Sequence, residues 1–191
     1  METMSLRRRI VAWLVAATAV LALASEASAA GGRYAFVGGT PAARSQVRAA
    51  LNASAFDWGR VPARITIHIG PGVHPHAEPG HIWLDQRLLA SGRFSWGIVQ
   101  HEYAHQVDFF LLDPASRALF NAALGGLDWC GAVTGLHHSF YGCERFASTL
   151  SWAYWPSLHN VLRPESPDDE AGAMSAPAFR SLLEMFVPAP Q

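Results

Sequence analysis

The sequence predicts an α+β fold, with a small sheet in its N-terminal half and helices in its C-terminal half, on three observations. Ile65, Ile67 and Ile69 alternate with Arg64, Thr66 and His68, the period-two pattern of a half-buried strand. From Ser95 the period changes: Ile98, Val99, Ala104, Val107, Phe110 and Leu111 recur at the spacing of a helix that buries one broad side. Only helical patterns follow, and strands gathered before helices give an α+β order.

The remaining elements follow in chain order. Tyr34 to Val37 is a short apolar strand that Gly38-Gly39 breaks, and Thr40-Pro41 is an N-cap followed by proline at the first helical position, opening a helix to about Asn52. Gly70-Pro71-Gly72 ends the isoleucine strand. Prolines and histidines make Val73 to Gly80 a loop, and Ile82-Trp83-Leu84 is a further strand. Asp113-Pro114 ends the long helix and opens another to about Leu124. Gly125 to Gly142 is a long glycine-containing loop of the kind that is functional or pinned. A helix from about Cys143 to Tyr154, a proline-rich polar stretch to Ala173 and an amphipathic helix from Pro177 to Val187 complete the chain.

The first thirty residues differ from the rest. Arg7, Arg8 and Arg9 precede an uncharged apolar run from Ile10 to Ala24, and Ala27-Ser28-Ala29 has the spacing of a cleavage site. Residues 1–29 are therefore expected to be a secretory signal peptide and residues 30–191 a single domain, secreted and free of the membrane after cleavage. The apolar run falls short of the roughly twenty residues a membrane span needs, which leaves an uncleaved anchor as the lesser alternative. The paired arginines fit a twin-arginine signal only loosely. In an exported chain the two cysteines, Cys130 and Cys143, are expected to form a disulfide, because a lone pair lacks the paired short spacing of zinc ribbons. Charged residues are only 15% of the chain, all 14 basic residues are arginine, and the net charge is −1. No basic stripe for a phosphate backbone exists, so nucleic acid is not expected as a partner. A monomer is expected.

The stretch WGIVQHEYAHQVDFF, Trp96 to Phe110, carries the chemistry. Residues four apart share a helix face, so His101 and His105 can offer ring nitrogens to one ion. Glu102 lies about a hundred degrees round the helix, placed to reach a water on that ion without ligating it. A carboxylate there can take the proton of the water as it attacks a carbonyl. With nine histidines in the chain the bare motif can arise by accident, but three ionisable groups in so apolar a helix are costly without a function.

A catalytic zinc needs a third protein ligand and an open position. A glycine three residues after the second histidine and a histidine three further on would supply one, but Asp108 and Leu111 stand there. The alternative is a glutamate on a later helix, and downstream only Glu144, Glu165, Glu170 and Glu184 exist. Glu165 and Glu170 fall in the proline-rich stretch and Glu184 near the end of the last helix. Glu144 opens a helix after the disulfide, and Ala147 one turn on would let two helices approach closely, which selects Glu144.

With HEYAHQVD on one helix and ERFA beginning thirty-nine residues after His105, the chain resembles the gluzincin zinc metallopeptidases, most of all their small single-domain and lethal-factor-like members. The resemblance implies a zincin-like fold, Zn2+ held by His101, His105 and Glu144, Glu102 as general base, and a peptide or protein substrate. It also implies an edge strand before the active-site helix, at His81 to Asp85, on which substrate adds as a further strand. Finally it implies a donor for the oxyanion of the tetrahedral intermediate, for which His137, His138 and Tyr141 are the candidates.

Asp108, one turn beyond His105, is expected to hold a ligand histidine from behind, with a helix-packing role as the alternative. His74, His76 and His81 are expected to be exposed loop histidines rather than a second metal site, and Trp83, Trp96, Trp129, Trp152 and Trp155 to pack the core or line the cleft. The leading expectation is a secreted zinc peptidase. The alternative is an exported zinc protein that binds peptide or cell-wall material without turning it over, for which Glu102 is dispensable.

Overall fold

In the computed structural model, residues 32–130 and 134–187 are described; the expected signal peptide lies outside them. The chain opens with strand β1 (Tyr34–Gly38) and helix α1 (Pro41–Ala53). As its sequence signals require, α1 starts at Thr40, whose hydroxyl accepts from the Ala43 amide, with proline directly after. A 3-10 turn at Trp58–Arg60 leads to β2 (Ile65–Gly70), where Ile65, Ile67 and Ile69 are buried and the residues between them are half-buried. Then come β3 (His76–Glu78), β4 (His81–Asp85), the short helix α2 (Gln86–Leu89) and a 3-10 turn at Gly92–Ser95.

The four strands form one mixed sheet in the order β1-β2-β4-β3. β1, β2 and β4 run parallel, and β3 is antiparallel to β4, with Ala77 opposite Ile82. This corrects two expectations. Residues 73–80 are not wholly loop, and His81–Asp85 is an inner strand: its two sides are taken by β2 and β3, so the edge falls on His76–Glu78. The three-residue β3 was hidden because a strand that short, between two prolines, shows no period.

The C-terminal half is helical: α3 (Trp96–Leu111), α4 (Pro114–Leu124), α5 (Gly142–Tyr154) and α6 (Ala176–Phe186). Asp113 caps α4 through the Ser116 amide, and Gly125, at φ 71°, ends it in the left-handed conformation open to glycine. The long connection to α5 contains a 3-10 turn at His138–Phe140, and the Cys130–Cys143 disulfide forms as expected, with its Cα atoms 5.8 Å apart.

Helix α3 is the axis of the molecule. It packs on α1, on β3 and β4, and most extensively along α5. Ala104 on α3 and Ala147 on α5 are wholly buried, small residues on two helices in close contact. One core runs from Val47, Leu51 and Trp58 through the sheet and Tyr103 to a second aromatic cluster of Phe120, Phe146 and Phe179, whose rings lie 5.0 to 5.7 Å apart. Burying so many large side chains around α3 fixes its orientation, and with it the residues it carries. Among the described residues no helix is long and apolar enough to cross a membrane.

Candidate metal centre

Successive turns of α3 bring His101 and His105 together, their rings nearly perpendicular at 85° and their Nε2 atoms 3.2 Å apart. Both are buried, at 6% and 7% exposure, as is Glu102 at 5%. Helix α5 delivers Glu144 in its first turn, where the positive end of the helix dipole favours a carboxylate. Its Oε2 lies 3.1 Å from His101 Nε2 and 3.3 Å from His105 Nε2.

These three donor atoms form a triangle of sides 3.1, 3.2 and 3.3 Å. A tetrahedral zinc with bonds of 2.0–2.1 Å sets its ligand atoms about 3.3 Å apart, so the spacing and donor types fit that ion. The three residues selected from sequence are thus brought to one point. A carboxylate oxygen of Glu102 also lies within 4.8 Å of both histidine nitrogens. Cys143 is near His105 and Glu144 as well, but its sulfur belongs to the disulfide and offers no thiolate.

Electrostatics distinguish the two glutamates. Burial pushes the Glu102 carboxyl up from its ordinary value, against the pull of His101 and His105. A carboxyl raised in this way is a stronger proton acceptor than an exposed one. Burial also acts to raise Glu144, but hydrogen bonds from His101, His105 and His138 overcome it and hold that carboxyl far below the usual range. For His101, burial acts downward and the Glu144 hydrogen bond, with the nearby carboxylates, outweighs it and leaves the ring raised.

Of the three oxyanion-donor candidates, His138 is the one that lines the cleft. Its Nε2 is 3.0 Å from Glu144 Oε2 and its Nδ1 is 2.7 Å from Glu170 Oε1. Clamped between two carboxylates, it is raised to about 10 by hydrogen bonds to Glu144 and Glu170. His137 instead caps the 3-10 turn, with Nδ1 2.8 Å from Ser139 Oγ. Tyr141 occupies the N-cap position of α5 and bridges to Asp128.

Asp108 departs from its expected role. Its carboxylate accepts from Arg117 Nε at 2.7 Å and from Trp129 Nε1 at 3.2 Å, so it ties α4 and the start of the long loop to α3, the packing alternative. The group behind His101 is Ser148, one turn after Glu144 on α5: its Oγ lies 3.0 Å from His101 Nδ1 and donates to Glu170 Oε2 at 2.7 Å.

Four residues around the site were given no role by the sequence: Ser148, Arg145 and Gln106, which were not weighed, and Glu170, weighed as a ligand and set aside for its place in the proline-rich stretch. Arg145 is buried and donates to the carbonyls of Leu124, Ser139, Pro167 and Asp168, pinning both the segment that carries His138 and the one that carries Glu170. Gln106 is buried on the sheet side of α3. Its amide donates to Glu78 O and His81 O and accepts from Gly80 N at 2.8 Å, fastening the edge strand to the helix that carries His101 and His105. The available signal was the cost of burying an arginine and a glutamine inside helices with apolar neighbours, which demands partners.

Between the edge strand and His138 lies a cleft of about 210 Å³. One wall is His74, Pro75, His76 and Ala77; His101, Glu102, His105 and Glu144 also line it, together with Phe109 and His138. His76 is therefore part of the cleft, and its ring stacks on Trp83 at 4.5 Å. His81 is on β4, with Nδ1 3.1 Å from His68 Nε2. No known protein family, curated protein or solved structure matches the chain.

Proposed function

We propose that the chain is a zinc-dependent peptidase of gluzincin type, exported and acting on extended polypeptide. One observation carries this reading: a helix-borne His-Glu-x-x-His pair and a glutamate from a second helix converge to a triangle of zinc dimensions, with a buried carboxyl beside it on the cleft. His101, His105 and Glu144 would hold the ion. Bound there, zinc would supply Lewis acidity toward a carbonyl oxygen and a water acidified to near neutrality.

The chain's own residues do the rest. Glu102 takes the proton of the attacking water, which its burial-raised carboxyl suits it to do, and passes it to the leaving amine. His138, cationic between Glu144 and Glu170, keeps Nδ1–H on Glu170 and presents Nε2–H at the cleft beside Glu144 Oε2, the proton it would turn to the oxygen on which negative charge develops. The antiparallel edge strand β3, held to α3 by Gln106, offers main-chain groups to which an extended peptide adds as a further strand. Such a peptide would run along the cleft wall past Glu102.

The same geometry favours a second reading. His138 Nε2, 3.0 Å from Glu144 Oε2, stands where a fourth protein ligand would close the site, and closed four-ligand sites are structural rather than catalytic. That is the exported zinc protein that binds without turnover. A mixed peptide library incubated with the zinc-loaded chain, beside its Glu102→Gln variant, separates the two by mass spectrometry. Cuts that vanish in the variant establish the peptidase; an uncut library with one zinc bound per chain sinks it and leaves the binder.

A further inference from the structure

The carboxylate of Glu170 is engaged at both oxygens. Oε1 is 2.7 Å from His138 Nδ1 and Oε2 is 2.7 Å from Ser148 Oγ. Ser148 Oγ is in turn 3.0 Å from His101 Nδ1. On their far sides both imidazoles present Nε2 to the same atom, Glu144 Oε2, at 3.1 and 3.0 Å. A single side chain, twenty-six residues beyond Glu144, therefore stands behind two histidines of the centre.

Proton counting makes this arrangement directional. An ionised carboxylate only accepts, so both of its partners must donate. Burial acts to protonate Glu170, but the hydrogen bonds from His138 and Ser148 prevail and hold it below the usual carboxylate range. The serine hydroxyl has one proton and gives it to Glu170, so toward His101 its oxygen can only accept. His101 must then carry a proton on Nδ1, which leaves Nε2 as the nitrogen available to a metal. By direct contact His138 must likewise carry a proton on Nδ1.

We propose that Glu170 is the shared positioning residue of the centre, one carboxylate that fixes the Nδ1–H state of His101 through Ser148 and of His138 directly. The inference rests on the metal centre proposed above, and it adds that the ligand histidine and the cleft histidine are set by one group. Loop placement of Glu170 is no obstacle, because Arg145 pins the adjoining carbonyls of Pro167 and Asp168 to α5.

An isosteric change tests it. The amide of Glu170→Gln has one accepting oxygen, so it cannot satisfy both donors. With its oxygen toward His138, its NH2 donates to Ser148, the hydroxyl turns its proton on His101, and His101 Nδ1 becomes bare. With its oxygen toward Ser148, its NH2 faces His138, and His138 Nδ1 becomes bare. Ring-nitrogen NMR of the full metal-free chain, labelled at histidine, reads these states without substrate. The wild type is expected to show Nδ1–H at both histidines and Glu170→Gln at only one of them. Ser148→Ala breaks the route to His101 alone: His101 should change, His138 should not, and competition with a chromophoric chelator should show zinc affinity down about 10–100-fold.

Unchanged Nδ1 states at both histidines in Glu170→Gln would overturn the proposal, as would an equal disturbance of His138 by Ser148→Ala. Failure of the peptidase reading shows instead as an uncut library with these states intact. A wild type that takes up no zinc would remove the metal centre while the NMR readout still decides the role of Glu170.

Discussion

Removing the Cys130–Cys143 bridge separates what holds the long loop from what holds the candidate metal centre. The two cysteines are 13 residues apart. A cross-link closing a loop of that size contributes about 3 kcal/mol on the chain-entropy account. For a domain of this length each kcal/mol moves Tm by about 2–4 °C, so Cys130→Ala/Cys143→Ala should melt about 6–12 °C lower by circular dichroism. Zinc affinity should stay within about three-fold, a difference of under 1 kcal/mol. The reason is that the ends of the loop are joined without the sulfurs: Leu127 N donates to Phe140 O, Gly142 N to Asp128 O and Cys143 N to Trp129 O, at 2.7 to 3.0 Å. Glu144 itself is placed by the packing of α5 along α3. A variant with unchanged Tm would refute the loop-closure reasoning. One that kept its Tm loss but also lost zinc affinity ten-fold or more would show that the bridge, rather than helix packing, sets the site.

Further outcomes are expected. Arg145→Met leaves four backbone carbonyls on three segments without their donor, so urea unfolding should show a loss of about 3 kcal/mol, with zinc affinity falling as well because both the His138 and Glu170 segments are released. Gly97→Ala should destabilise, although alanine ordinarily gains about 1 kcal/mol over glycine in a helix, because its Cβ would meet the Asn160 side-chain oxygen; a raised Tm would contradict this close approach. The Ser116 amide and hydroxyl hydrogen-bond the Asp113 carboxylate and hold it below the ordinary aspartate value. A depressed carboxylate contributes stability above its unfolded pKa and loses it as pH falls through the folded one. Wild type should therefore exceed Asp113→Asn in Tm at pH 7, and the gap should close in acid below that folded value; a gap independent of pH would contradict the assignment.

The elements that the sequence determined alone are those whose cause is local. The isoleucine alternation of β2, the Thr40-Pro41 and Asp113-Pro114 starts, the Gly125 stop and the i, i+4 spacing of His101 and His105 all act within a turn or two, and each appears where the residues place it. The placing of Glu144 beside the two histidines was legible for a second reason, elimination: four glutamates follow His105, and of these one alone opened a helix with a small residue a turn later. What tertiary structure decided depends on contacts between distant segments. Strand order placed β3, not β4, at the edge, because a three-residue strand gains its identity from its partner Ile82 and from Gln106 rather than from any period of its own. Asp108 faced a choice of partners that only the folded positions of Arg117 and Trp129 resolve. Glu170, in a polar stretch without periodicity, became part of the centre through Ser148 and His138, twenty-two and thirty-two residues away in sequence. Side-chain chemistry and short-range spacing are written along the chain, whereas which hydrogen-bond donor meets which acceptor is settled only when burial brings the segments together and forbids either from being left unpaired.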